Sequence, residues 1–275
     1  MSKRGSLITT SIAAGMLTCL ALPALPQGFT QPDPINFDDN AGWISIFDGK
    51  GLDGWDGDKN YWRVENGAIV VESTCEKPTG TIYLIWQGGE LADFELKMEM
   101  KGEGAGVNSG IQYRGAILDA SRARTERRPP SGNCPSGQPR GAPPSFASQA
   151  KWDMLGAQFD FDGKNQYTGQ YYEQATGRGI VAWRGQVVRT ESGKKPRLLA
   201  TLGDPDALAG YVHIENWNQL HIVARGSTMT HIVNGHVMSV LIDDDTPKFR
   251  KSGLIGVEIE GTGKISIRKI WIRKL

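Results

Sequence analysis

In the stretch DFELKMEMKG, Phe94, Leu96, Met98 and Met100 alternate strictly with Glu95, Lys97, Glu99 and Lys101. A period of two sends successive side chains to opposite faces of an extended chain, so this segment predicts a strand with one buried and one wet face. Turn signals punctuate the rest at short intervals. WISIFDGKGLDGW carries Asp48-Gly49 and Asp53-Gly54, and YWRVENGAIVVES sets Asn66-Gly67 between two apolar runs, a strong hairpin signature. The chain closes with GLIGVEIEGTGKISIRKIWIRKL, two more extended runs. Past the N-terminus no long stretch sustains a helical period. Many short strands joined by tight turns, with 35 glycines and 14 prolines, predict an all-β protein of two packed, mostly antiparallel sheets. With 275 residues, 39% of them hydrophobic, the chain can fill the core of one large β domain, expected over residues 43–275.

The N-terminus, MSKRGSLITTSIAAGMLTCLALPALPQG, has the layout of a secretory leader: Lys3 and Arg4, an apolar run, then small residues near Ala24. The apolar run is short for a membrane span and ends in prolines, so residues 1–28 are expected to be removed, leaving no stable span and a secreted protein, periplasmic or extracellular. Loss of Lys3 and Arg4 takes the formal charge from +1 to −1. A near-neutral chain gives no reason to expect nucleic acid as a partner. In an oxidising compartment the remaining cysteines, Cys75 and Cys134, could form one disulfide. Two cysteines and scattered histidines make no zinc pattern. Residues 116–150, rich in Arg, Pro, Gly and small polar residues, lack both regular periods and read as a long loop excursion.

Polar residues gather on single strand faces. In GVNSGIQYRG, Asn108, Gly110, Gln112 and Arg114 share one parity, so amides and a guanidinium could orient hydroxyls or a carbonyl beside a glycine that permits close approach. In GAQFDFDGKNQY, Gln158, Asp160 and Asp162 share a face opposite Phe159 and Phe161. Asp162 precedes a glycine and has a local task in a turn. Asp160, flanked by phenylalanines, needs another purpose, as a general base, an acceptor for sugar hydroxyls or one ligand of a hard cation. Downstream, QYTGQYYEQATGRGI adds Tyr171, Tyr172, Glu173 and Arg178: rings to stack on a sugar, a carboxylate to exchange protons and a cation to face developing negative charge.

The stretch WNQLHIVARGSTMTHIVNGHVM holds three of the four histidines. A two-residue turn at Asn234-Gly235 would pair His236 with Val233 and Met238 with His231, setting His231 and His236 on one face beside Met229 and Val240. A turn at Gly226-Ser227 would pair Ile222 with His231 and send His221 to the other face. The histidines are therefore not one cluster.

The ordered series IFDGKGLDGW, WRVENGAIV, ADFELKMEMKG, NSGIQYRG, GAQFDFDG, YTGQYYEQATGRGI, WNQLHIVARGSTMTHIVNG and GKISIRKIWIRKL resembles the 3-keto-disaccharide hydrolase domain family, from about Trp43 to Leu275. That resemblance implies a concanavalin A-like jelly-roll β-sandwich and a carbohydrate-active protein working on oxidised glycosides. It maps a polar sugar site onto Asn108, Gln112, Arg114, Gln158, Asp160, Tyr172, Glu173, Arg178 and His231. One departure stands out: where the family often has a Leu-Gln-x-His-like strand, this chain has GVEIEG, so Glu258 and Glu260 enter the site and Glu260 stands in place of a histidine.

The implied reaction is cleavage of a 3-keto-glycoside by elimination and hydration, because the ketone acidifies the neighbouring C2 hydrogen. Asp160 or Glu173 would be the base, Glu258, Glu260 or His231 the acid for the leaving group, and Arg114 or Arg178 the partner of the enolate oxygen. No cofactor is required, although a divalent cation bridging the keto oxygen and a hydroxyl would also serve. Two other readings fit the same residues: ordinary glycoside hydrolysis by paired carboxylates such as Asp160 and Asp162, and a noncatalytic carbohydrate-binding module.

Overall fold

The computed structural model describes residues 35–118, 134, 141–142 and 150–275. The expected leader at 1–28 and most of the 116–150 excursion lie outside these residues. Among those described, no helix is long and apolar enough to cross a membrane.

The strands form two sheets. The larger, ten-stranded sheet runs in the order β12 (Arg197–Thr201), β11 (Gln186–Glu191), β15 (His236–Asp244), β14 (Thr228–Val233), β13 (Asn218–Arg225), β6 (Phe94–Glu103), β17 (Gly263–Lys274), β4 (Ala68–Ser73) and β3 (Arg63–Glu65), with β1 (Ile44–Ser45) also paired to β17. The seven-stranded sheet runs β10 (Gly179–Ala182), β9 (Tyr171–Gln174), β8 (Met154–Asp162), β7 (Val107–Ile117), β16 (Leu254–Gly261), β5 (Ile82–Trp86) and β2 (Trp55–Asp56). Pairing is antiparallel throughout the described residues except between β11 and β15. Among the described residues one short α-helix, α1 (Pro205–Ala209), is capped by Asp204, whose side chain accepts from the Asp206 and Ala207 amides.

The core lies between the sheets, and strand alternation decides what enters it. From the larger sheet come Phe94, Leu96, Met98 and Met100 of β6 with Ile222, Met229 and Ile267; from the smaller come Ile111, Tyr113, Phe159, Phe161, Tyr171, Val257 and Ile259. The expected all-β sandwich is the one observed. Asn66 and Gly67, at φ 50° and 74°, make the expected two-residue turn between β3 and β4. Only residues that tolerate the left-handed region close a hairpin this tightly without strain.

The outer face of β6 differs from the expected wet surface. Lys97 and Glu99 are buried. Lys97 donates to the carbonyls of Phe37 and Asp39, at 2.9 and 2.6 Å, and lies over the Trp43 ring. Arg268 and Lys269 pair with Glu99, while Arg273 and His221 pair with Glu95. The charged stripe is thus an ion-pair layer under the chain's first described segment.

The histidine hairpin forms with one change of register. Val233 pairs with His236 across Asn234-Gly235, and Ile222 pairs with His231, as expected. His231, however, pairs with Ser239 and not Met238, because the register shifts between His231 and Ile232. One extra residue reverses parity beyond it. Leu241 therefore sits opposite Met229, and Val240 pairs with Thr230.

Candidate functional site

On the outer face of the seven-stranded sheet, the residues whose neighbours in sequence fill the core line up across strands. Tyr83, Glu258, Gly110 and Asp160 form one cross-strand row on β5, β16, β7 and β8. Beside it run Ile85, Gly256, Gln112, Gln158 and Tyr172, and on the other side Glu260, Asn108 and Asp162. The predicted polar parities of β7 and β8 thus meet on one surface, joined by the two glutamates of β16.

Gly110 makes the arrangement work. A Cβ there would lie 2.3 Å from Nε2 of Gln158, which crosses the glycine to reach the next strand but one. That Nε2 donates to Glu258 Oε2 at 2.5 Å, while the Tyr83 hydroxyl donates to Glu258 Oε1 at 2.8 Å. Apolar side chains Tyr83, Ile85 and Met154 pack at the same end, with Trp152 and Leu254 at their edge. Gly256 leaves the space that the Met154 sulfur occupies, since a Cβ would come within 2.4 Å of it.

Burial sets the protonation of this face. Asp160 is carried from 3.8 to about 7, chiefly by desolvation; Gln170, whose Nε2 donates to Oδ2 at 2.5 Å, opposes that rise, and the charges of Asp162 and Glu260 add to it. Glu258 is held well above the usual carboxylate range, first by burial and then by Glu260 and Asp160, against the hydrogen bonds of Tyr83 and Gln158. One carboxyl is therefore half-ionised near neutrality and another stays protonated. Asn108 donates to Glu260 at 3.2 Å. Around them are buried polar atoms that lack a partner: both side-chain atoms of Gln112 and the carbonyl oxygens of Gln158 and Gln170. Buried amides are rarely left so, and a face with three of them is ready for a ligand rich in donors and acceptors.

Asp162 is committed elsewhere. It accepts from the backbone N–H groups of Gln166, Tyr167 and Thr168 at 2.8–3.0 Å and from the Thr168 hydroxyl at 3.1 Å, which fastens the loop between β8 and β9.

The other predicted residues belong to different surroundings. Glu173 pairs with Ala157 and shares the inward parity of Tyr171, facing the larger sheet and not Asp160. There it accepts from Thr176, Arg178 and Tyr171 at 2.7, 2.7 and 3.2 Å, and burial raises its pKa. Arg178 spans Glu173 and Asp243, at 2.7 Å to each, with Thr190 completing the network between the sheets. His231 is fully buried among Tyr113, Phe159 and Tyr171. Its Nδ1 meets the Gln170 carbonyl at 3.2 Å and must carry the hydrogen, so Nε2 accepts from the Tyr113 hydroxyl at 2.8 Å. Desolvation lowers its pKa to about 3, so it stays neutral in ordinary conditions. Arg114 leaves the Gln112 face because its φ of 47° starts a bulge in the β7–β8 ladder. Its guanidinium donates to the carbonyls of Ala92 and Gly226 and pairs with Asp93. The geometry therefore removes Glu173, Arg178, His231 and Arg114 from the Asp160 face and keeps Asn108, Gln112, Gln158, Tyr172, Glu258 and Glu260 on it.

Two residues of this face escaped the sequence reading. Tyr83 alternates with Ile82 and Leu84 inside IYLIW, where a tyrosine reads as core. Gln170 sits in a loop, where no period assigns a direction. As for a cation, no three His, Cys, Asp or Glu side chains among the described residues gather in a cluster able to hold a metal ion.

A family profile described as a 3-keto-alpha-glucoside-1,2-lyase-like domain matches residues 42–273. Comparison with curated proteins gives no match. Similar solved structures include a candidate glycosyl hydrolase from Parabacteroides distasonis, 16% identical over 85% of this chain and 99% of that one, with a TM-score of 0.48. A carbohydrate-binding module from Bacillus subtilis is 10% identical over 80% of this chain and 96% of its own, with a TM-score of 0.46.

Proposed function

Because the chain belongs to the 3-keto-alpha-glucoside-1,2-lyase-like family, we propose that it cleaves the glycosidic bond of 3-keto-glycosides by elimination followed by hydration, with Asp160 as base and Glu258 as acid. The observation that carries this reading is the pair of buried carboxyls on one sheet face, Asp160 carried to about 7 and Glu258 held protonated. Two titratable groups pushed to different protonation states by their surroundings are what proton transfer in both directions needs.

Asp160 takes the hydrogen from C2 of the sugar, which the 3-keto group makes acidic. The electron pair forms the C1–C2 double bond as the bond from C1 to the leaving oxygen breaks, and Glu258 protonates that oxygen. Water then adds its hydroxyl to C1 and gives its remaining proton to the Glu258 carboxylate while Asp160 returns a proton to C2, giving the free 3-keto sugar and an alcohol. With Arg114 and Arg178 on other surfaces, neutral donors serve the enolate oxygen, and the unpartnered Gln112 amide supports that role. Removing one such donor costs on the order of 3–4 kcal/mol in comparable oxyanion sites. Asn108 and Glu260 would bind hydroxyls, and Tyr172 would lie against the sugar face. The Cys75–Cys134 disulfide supports an oxidising compartment outside the cytosol.

Direct hydrolysis by an Asp160–Asp162 pair is disfavoured, since Asp162 already accepts several loop donors. The test is turnover of matched 3-keto and unmodified glucosides by the full-length protein and by its Asp160→Asn and Glu258→Gln variants. Turnover of the oxidised glucoside alone, falling at least roughly 100-fold in Asp160→Asn, is expected. Equal turnover of both substrates, or binding without turnover, would overturn the proposal.

A further inference from the structure

A second feature suited to sugars lies at the turn between β10 and β11. Trp183 and Tyr167 are 47% and 41% exposed, large rings left in water beside each other. Their centroids are 6.4 Å apart and the planes are inclined by 48°. Trp183 lines a groove of about 330 Å³ with Gln166, Gln186 and Thr201, and Tyr167 packs against the Trp183 ring beside it. Pockets for small molecules begin at roughly this size.

The groove is built rigidly. The Trp183 amide donates to Gln186 Oε1 at 3.1 Å, and the Gln186 amide returns a bond to the Trp183 carbonyl. Beneath them Arg184 is buried and donates to Pro205 O, Asn165 O, Asn165 Oδ1 and Thr168 O at 3.0–3.1 Å. Gly185, at φ 88°, lets the turn approach the loop that follows β12, for a Cβ there would lie 2.9 Å from Gly203 O. These bonds hold the rings in place without using the rest of the lining.

The chemistry left over selects the ligand. Arg184 is the charged group of the lining, and it is buried with four of its five N–H donors spent on the protein, so the groove offers no bidentate clamp for a phosphate or a carboxylate. Gln186 has committed its carbonyl and retains two amide hydrogens; Gln166 and Thr201 add further neutral donors and acceptors. Flat apolar faces next to neutral hydrogen-bonding groups match a pyranose ring, which has apolar C–H faces and hydroxyls at its rim. We propose that the groove is a second carbohydrate subsite, taking a neutral sugar residue of a longer glycan. It extends the carbohydrate-acting reading above but does not depend on Asp160.

Affinity electrophoresis tests it, with the full-length protein run through gels containing dextran, pullulan, xyloglucan or mixed-linkage β-glucan. Wild type and Asp160→Asn should be retarded equally by at least one of these glucans. Trp183→Ala and Tyr167→Ala should weaken that retardation roughly 5- to 10-fold, about 1 kcal/mol or slightly more, and Trp183→Phe should recover part of it. Trp183→Ala should keep wild-type turnover of a small 3-keto-glucoside and the same thermal midpoint. Absence of retardation in all four gels, unchanged retardation of both alanine variants, or its loss in Asp160→Asn would overturn the subsite. Retardation without turnover of any 3-keto-glucoside would leave the subsite standing and remove the proposed reaction instead.

Discussion

Asp160 shows how one side chain couples chemistry to stability. Its carboxyl is carried from 3.8 to about 7 by burial. Below about pH 4 the folded and unfolded chains both hold this proton. Between about 4 and 7 the folded protein keeps a proton that the unfolded chain has released, so stability falls as pH rises through that window. The cost, fully present above about pH 7, is on the order of 4 kcal/mol at most. Asp160→Asn removes the ionisation while its carbonyl can still accept from Gln170. The variant is expected to gain stability over wild type at pH 8 and little at pH 4, read from urea midpoints at both values. An equal difference at the two pH values would mean that Asp160 ionises normally. In turnover, kcat/KM of wild type should rise with pH through about 7, as the base loses its proton.

At the scale of strands and loops, Arg178 is a tie between sheets and not a reactive group. It holds Glu173 of β9 against Asp243 of β15 with Thr190 of β11, all buried. Arg178→Ala leaves two carboxylates buried without their cation, and a loss of about 3–5 kcal/mol in unfolding free energy is expected. Replacing Arg178, Glu173 and Asp243 together by apolar residues should lose much less. A small effect of Arg178→Ala would place the network in contact with water. Parity along regular strands was readable from residues alone: it aligned Asn108 with Gln112 and Gln158 with Asp160, and it set Phe159 and Phe161 inward. What escaped it were bulges and turns. One residue of slippage at Met238–Ser239 moved Val240 outward, and the positive φ of Arg114 carried its guanidinium off the Gln112 face. Glu173 and Tyr172 are neighbours on one strand, so only one of them could face Asp160, and spacing within β9 does not choose between them. The pairing of Ala157 with Glu173 does.

Across the whole molecule, two sheets hide one set of alternating residues and leave the other to carry chemistry. The sandwich was legible because turn residues and a period of two recur along most of the chain. The site was legible only in part, since Gln170 comes from a loop and Tyr83 from an apolar run. Assembly of these pieces gives one outer face with a carboxyl carried to about 7, a second held well above its usual range and unpartnered amides. The most direct measurement of what that face does is turnover of a 3-keto-glucoside in D2O, with the product's C2 position read by mass and NMR and corrected for exchange of product alone. Elimination followed by hydration predicts solvent deuterium at C2 of the released 3-keto sugar wherever the Asp160 proton exchanges before its return, and slower turnover of substrate deuterated at C2. Retention of the original C2 hydrogen together with unchanged turnover of substrate deuterated at C2 would contradict it and point to direct displacement at C1.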